Sequence, residues 1–190
     1  MRILFLGDIV GRTGREAIST NIETVRNRLK IDFIIVNAEN ATSGAGLSAN
    51  HAVELLKAGV NCITLGDHAF DQQEMVNFAE KEIRVVRPLN FAKSAPGRGA
   101  RLLELHNGKK ILVLQVLGQV FMKRPFSDPF EALDSELKKY NLNGNVDAIF
   151  VDMHAEATSE KNALGQYFDG RVSMMAGTHT HVPTSDIRIL

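Results

Sequence analysis

Strand-like apolar runs alternate with helical periodicity between residues 3 and 78, and this order restricts the fold more than any other feature of the chain. Ile3–Leu6 and Phe33–Val36 are continuously apolar, and Cys62–Leu65 is interrupted only by Thr64. Runs of this kind read as strands buried on both faces of a parallel sheet. Between the first two, Ile18, Ile22, Val25 and Leu29 recur at helical spacing. Ser48 is placed to cap a second helix through Leu55 and Leu56, which Gly59 closes. Asp71 is placed to cap a third through Met75, Val76 and Phe78. Repeated strand–helix units predict parallel βαβ connections.

The pattern then changes. Arg84–Val86 reads as a short strand, followed by a loop rich in Pro, Gly and Ser from Pro88 to Gly99. Asn107-Gly108 lies between the runs Arg101–His106 and Lys110–Val116, a strong two-residue hairpin signal. Antiparallel strands therefore join the parallel ones. Asp128 is placed to cap a helix containing Leu133 and Leu137. Ala148–Val151 reads as a strand leading into Asp152, Met153 and His154. The polar stretch Glu156–Gln166 reads as a loop with a short helix. Val172–Ala176, between Gly170 and Gly177, reads as a short buried strand. Ile187–Leu190 reads as the start of another strand. Such a strand needs a return element, so further chain or a partner, a second copy in a homo-oligomer included, is expected over that end. The 190 residues suit one domain spanning 1–190, with no internal repeat, low-complexity tract or interdomain linker.

Zero formal net charge argues against an extended nucleic-acid face but leaves room for a small phosphate ligand at a metal centre. The single cysteine, Cys62, excludes an intrachain disulfide and agrees with a reducing compartment. No segment resembles a signal peptide or a membrane span, so a cytoplasmic protein is expected.

The chemistry gathers where the strands end. Asp8 follows the first run, Glu39 and Asn40 the second, and Asp67 and His68 the third. His154 ends a later run, and His179 and His181 follow the last. The C-terminal ends of parallel strands share one rim. In extended backbone, residues two apart point the same way, so His179 and His181 are expected to face one point. Each residue alone has an ordinary explanation as a turn residue, a helix cap or a surface group; the argument rests on the set. Carboxylate, amide and imidazole without a thiolate set suit Mn²⁺, Fe²⁺ or Zn²⁺ at a non-structural site. The set exceeds the needs of one ion, and a bridging carboxylate would serve two. His51 and His106 lack such placement and read as helix-surface and hairpin residues, and Cys62 as core. Nucleotide-binding glycine loops, the G-x-S-x-G elbow and H-E-x-x-H are absent.

Six blocks, Gly7–Gly11, Asn37–Asn40, Gly66–His68, Arg87–Phe91, Asp152–Lys161 and Gly177–His181, resemble the calcineurin-like metallophosphoesterase superfamily. Within it they are similar to the YmdB-like branch of bacterial cyclic-nucleotide phosphodiesterases, in family order along nearly the whole chain. The resemblance implies an α/β fold, a four-layer α/β/β/α sandwich of two mixed sheets. It implies a dinuclear centre of divalent transition metals, iron or manganese first and zinc next. Asp8, Asn40 and His181 would bind one ion, Asp67, His154 and His179 the other, and Glu39 would bridge them. The implied reaction is hydrolysis of a small phosphodiester, a 2′,3′-cyclic nucleotide, by a hydroxide activated between the ions, with His68 as general acid. Two departures stand out: Asp67 occupies a position where the family usually has Asn, and family members continue beyond residue 190. They keep a competing reading open, a regulatory module that binds a nucleotide or RNA end with little turnover.

Overall fold

The computed structural model describes residues 1–190. The elements in chain order are β1 (Ile3–Leu6), α1 (Gly11–Leu29), β2 (Phe33–Asn37), α2 (Ala49–Ala58), β3 (Cys62–Thr64), α3 (Glu74–Lys81), β4 (Val85–Val86), β5 (Ala100–Glu104), β6 (Lys110–Leu117), α4 (Pro129–Leu137), β7 (Ala148–His154), α5 (Thr158–Tyr167) and β8 (Met174–Thr178). They form two four-stranded sheets, ordered β1-β2-β3-β4 and β5-β6-β7-β8. The first is parallel throughout. The antiparallel pairing is confined to β5–β6 in the second.

Side-chain alternation along each strand builds the layers. In β2, Ile34 and Val36 pack with Ile18 and Ile22 of α1 and Leu55 of α2, while Phe33 and Ile35 face the other sheet. In β6, Leu112, Leu114 and Val116 pack with Leu133 of α4 and Leu164 of α5, while Ile111 and Val113 face the first sheet. Phe5 and Phe150 meet between the sheets with ring centroids 4.8 Å apart. The result is helices, sheet, sheet, helices: an α/β/β/α sandwich in which the central strands have no solvent face. That is why their sequences are apolar at consecutive positions.

Several local expectations hold at the atomic level. Ser48 accepts a hydrogen bond from the His51 N–H, and Gly59 closes α2 with φ of 114°. Asp128 accepts from the Phe130 and Glu131 N–H groups. Others are corrected. Asp71 does not cap α3, whose preceding residue Gln73 is already helical; its carboxylate is bonded to His68. The short helix expected within Glu156–Gln166 forms as the ten-residue α5, Thr158–Tyr167, and takes up nearly all of that stretch, because Leu164, and Phe168 just beyond, dock on the second sheet. The strand expected at Val172–Ala176 lies at Met174–Thr178 and is only partly buried, with Met174 41 % exposed, because β8 is an edge paired to β7 alone. Ile187–Leu190 forms no strand: it finds no ladder partner, and Ile187 is 96 % exposed. No helix is long and apolar enough to cross a membrane.

Candidate metal centre

The rim of the sandwich collects the candidate residues from both sheets. Asp8 follows β1, Glu39 and Asn40 follow β2, and the turn after β3 carries Asp67 and His68. From the second sheet, β7 ends on His154, and His179 and His181 lie just past β8. Backbone bonds fix the first-sheet loops: the Ile9 N–H donates to Asn37 O at 3.0 Å and the Gly11 N–H to Asn40 O at 2.9 Å. The sheets are joined across the rim by the His179 N–H, which donates to Asp8 Oδ2 at 2.6 Å.

Two groups of ligand atoms form there, and Glu39 belongs to both: Glu39, Asp67, His154 and His179 in one, Asp8, Glu39 and His181 in the other. His154 Nε2 lies 3.2 Å from Glu39 Oε1 and 3.2 Å from Asp67 Oδ1. His179 Nδ1 lies 3.0 Å from His154 Nε2 and 3.5 Å from Asp67 Oδ1. His181 Nε2 lies 3.7 Å from Asp8 Oδ2 and 3.3 Å from Asn40 Nδ2, and Asn40 Nδ2 donates to Glu39 Oε1 at 3.0 Å. A half-turn of the Asn40 carboxamide exchanges its nitrogen for its oxygen at that point.

His179 and His181 therefore do not face one point. Both have positive φ, 93° and 56°, so the alternation rule for extended backbone does not apply beyond Thr178. Asp8 also has positive φ, 36°. Non-glycine residues held in this region cluster at functional sites. Gly66 matters for its missing side chain: a Cβ there would overlap Glu39 Oε2 and lie 2.8 Å from His154 Cε1.

The electrostatics call for a cation. Asp8 Oδ1 is buried with no hydrogen-bond partner, an expensive state for a carboxylate oxygen unless it serves a positive ion. Burial disfavours charge on His154, but the bonds to Asp67 and Glu39 outweigh it and raise its pKa to about 10. Loss of water around Asp67 and Glu39 raises a carboxyl pKa, yet the imidazole contacts hold both below their ordinary values. Oxygen and nitrogen donors gathered in these two groups could hold divalent metal ions.

Beneath the groups lies a polar network that the sequence reading missed. Asp152, fully buried, accepts from Thr64 Oγ1 at 2.6 Å, Asn37 Nδ2 at 2.9 Å, Gln115 Nε2 at 2.8 Å and Thr178 Oγ1 at 2.5 Å. Thr178 Oγ1 also lies 2.9 Å from His154 Nδ1. His154 is thus oriented through its second nitrogen, the arrangement found behind metal-bound histidines. Glu156 has the same relation to His179, with Oε2 3.3 Å from Nε2. The available signal was a polar residue inside an otherwise apolar strand: Asn37, Thr64, Gln115 and Asp152 all interrupt such runs.

His68 stands apart from both groups. Its backbone N–H donates to Glu39 Oε2 at 3.1 Å, and its ring Nδ1 meets Asp71 Oδ2 at 2.6 Å. Partial burial lowers the His68 pKa, but the Asp71 bond together with the charges of Glu39 and Asp67 raises it overall.

Residues 4–190 match the family described as YmdB-like protein. A Bacillus subtilis protein named 2′,3′-cyclic-nucleotide 2′-phosphodiesterase is 42% identical over 190 residues, which is 100% of this chain and 70% of that protein. A crystal structure of a hypothetical protein from Thermus thermophilus superposes with a TM-score of 0.90 at 45% identity, over 98% of this chain and 70% of the other. The structure of a Mycoplasma pneumoniae protein described as a novel phosphatase gives a TM-score of 0.89 at 40% identity, over 99% of this chain and 67% of that one. Matched along nearly its full length, the chain belongs to the YmdB-like protein family.

Proposed function

We propose that the chain is a metal-dependent phosphodiesterase that opens 2′,3′-cyclic nucleotides. The observation that carries this reading is the pair of ligand groups sharing Glu39, with the unpartnered Asp8 Oδ1 beside them. The name of the B. subtilis relative supports the substrate class and the 2′ bond as the one broken. Asp8, Asn40 and His181 would hold one ion and Asp67, His154 and His179 the other, with Glu39 between them. A pair of divalent ions, manganese or iron, supplies Lewis acidity and an activated water when bound.

The protein's own groups do the rest. Thr178 and Glu156 fix the rings of His154 and His179. The ribose 2′ oxygen is a poor leaving group and needs a proton as it departs. His68 donates that proton from Nε2, because Asp71 occupies Nδ1 and keeps the ring charged and oriented. Asp67 brings a third carboxylate to the centre beside Asp8 and Glu39, and favours tight retention of divalent ions.

The test is hydrolysis of 2′,3′-cyclic AMP by protein loaded with Mn²⁺ or Fe²⁺ and by protein stripped with chelator. Activity should need the metal, and Glu39→Gln should lose metal from both positions while His181→Ala depletes one. Hydrolysis unaffected by chelation would overturn the reading. Tight binding with no product over hours would replace it with a regulatory nucleotide-binding module.

A further inference from the structure

Next to the proposed catalytic rim lies a cavity of about 550 Å³ that no metal or catalytic role accounts for. Phe70, Phe91 and Phe126 line it with Asn90, and Arg124 stands at its edge. Phe91 and Phe126 stack with centroids 5.5 Å apart and planes inclined by 23°, and Phe70 meets Phe91 at 5.8 Å. All three rings are only partly buried. The Arg124 guanidinium is exposed and has no ion-pair or hydrogen-bond partner in the chain.

Two short paths connect this cavity to the rim. Phe70 belongs to the same turn as His68, two residues on. On the other side, Asn90 grips Leu117, donating to its carbonyl at 2.8 Å and accepting from its N–H at 2.8 Å, and Leu117 is the ladder partner of His154. The loop carrying Phe126 and Arg124 is pinned at both ends. Glu160 accepts from the Gln119 N–H at 2.8 Å and the Val120 N–H at 3.3 Å. At the far end, Asn90 donates to Ser127 O at 2.8 Å, and Gln119 Nε2 donates to Phe126 O at 2.7 Å. An apolar cavity with preset walls, half-buried aromatic rings and one free guanidinium suits a flat, polar-edged aromatic group.

We propose that this cavity is the base subsite: it stacks the nucleobase of the substrate against the outer side of the Phe91–Phe126 ring pair while Arg124 covers a ring face or edge. The assignment rests on the nucleotide phosphodiesterase reading above and adds what that reading leaves open, the part of the substrate away from phosphorus. Base–aromatic stacking tolerates any base, so the subsite separates nucleotides from simple phosphodiesters more than one base from another.

The test compares 2′,3′-cyclic AMP with the 2,3-cyclic phosphate of methyl riboside, which lacks the base, in metal-loaded full-length protein. The ratio of their kcat/KM values is read, so that a general loss of activity cancels. The wild type should favour the nucleotide by about tenfold or more, and Phe126→Ala should bring the ratio to within about threefold of one. Arg124→Ala, a fully surface change, should lower the ratio in the same direction and covers the case in which the phenylalanine variant folds poorly. A wild-type ratio near one, or a ratio unmoved by both variants, overturns the subsite. If neither substrate is hydrolysed, the phosphodiesterase reading fails by itself. The subsite is then decided by calorimetric titration with 3′-AMP, where affinity absent or indifferent to Phe126→Ala overturns it. If Phe126→Ala changes the mass in solution and leaves the ratio unaltered, the rings cover a second copy of the chain and the proposal is wrong.

Discussion

Asp67 and His68 are adjacent in sequence and are given different tasks by one turn. Asp67 joins the two imidazoles of His154 and His179, whereas the His68 ring leaves that group for Asp71. Under the proposed function His68 supplies a proton and holds no metal, so its removal should separate the two properties. His68→Ala is expected to slow hydrolysis of a ribose 2′ ester by about 10²–10⁴, the usual worth of a general acid. The loss on a nitrophenyl ester should be far smaller, because nitrophenolate departs without a proton, and bound metal by elemental analysis should stay at the wild-type level. Asp71→Asn should produce a smaller loss of the same pattern. Equal losses on both esters, or a fall in bound metal, would make His68 a ligand or a structural group instead. The identities of these residues were visible in the sequence as ligand-type residues after apolar runs. The partnership of His68 and Asp71 was not, because an Asp three residues before a helical run satisfies the capping pattern equally well.

At the scale of elements, the site depends on strands ending at a common rim and on polar groups placed inside them. Asn37 and Thr64 are ladder partners in the first sheet, Gln115 and Asp152 in the second, and all four meet at the Asp152 carboxylate between the sheets. Thr178 transmits that anchor to His154. Thr178→Val keeps the shape of the side chain and removes the hydroxyl. Metal affinity should fall by about 10–100-fold, the usual effect of losing a hydrogen bond behind a ligand. Stability to urea should fall by about 1–3 kcal/mol, because Asp152 Oδ1 is left buried without its donor. Unchanged metal affinity in a folded Thr178→Val protein would show that the ring of His154 is held by packing alone. Strand existence was legible from the apolar runs; the network was not, because a polar residue in such a run does not reveal its partner across the sandwich.

At the scale of the whole molecule, the two sheets must stay apposed for either ligand group to exist, since Glu39 and Asp67 come from one sheet and His154 and His179 from the other. Phe150, fully buried between the sheets against Phe5, is the residue to probe. Phe150→Ala should cost about 3–5 kcal/mol in urea denaturation and lower metal affinity with it. A loss below about 1 kcal/mol would mean that the inter-sheet contact is not what holds the halves together. The sequence by itself determined the double burial of the central strands, the α/β alternation, the caps at Ser48 and Asp128, and the residues gathered at the rim. These follow from local periodicity and from side-chain chemistry at strand ends. Only the tertiary structure decided that His179 and His181 leave the extended alternation and do not face one point, that Asp71 serves His68, that Asp152 lies beneath the ligand groups and that Ile187–Leu190 joins neither sheet. Each of those outcomes depends on which distant group lies within a few ångströms, and apposition of the two sheets sets that, not spacing along the chain.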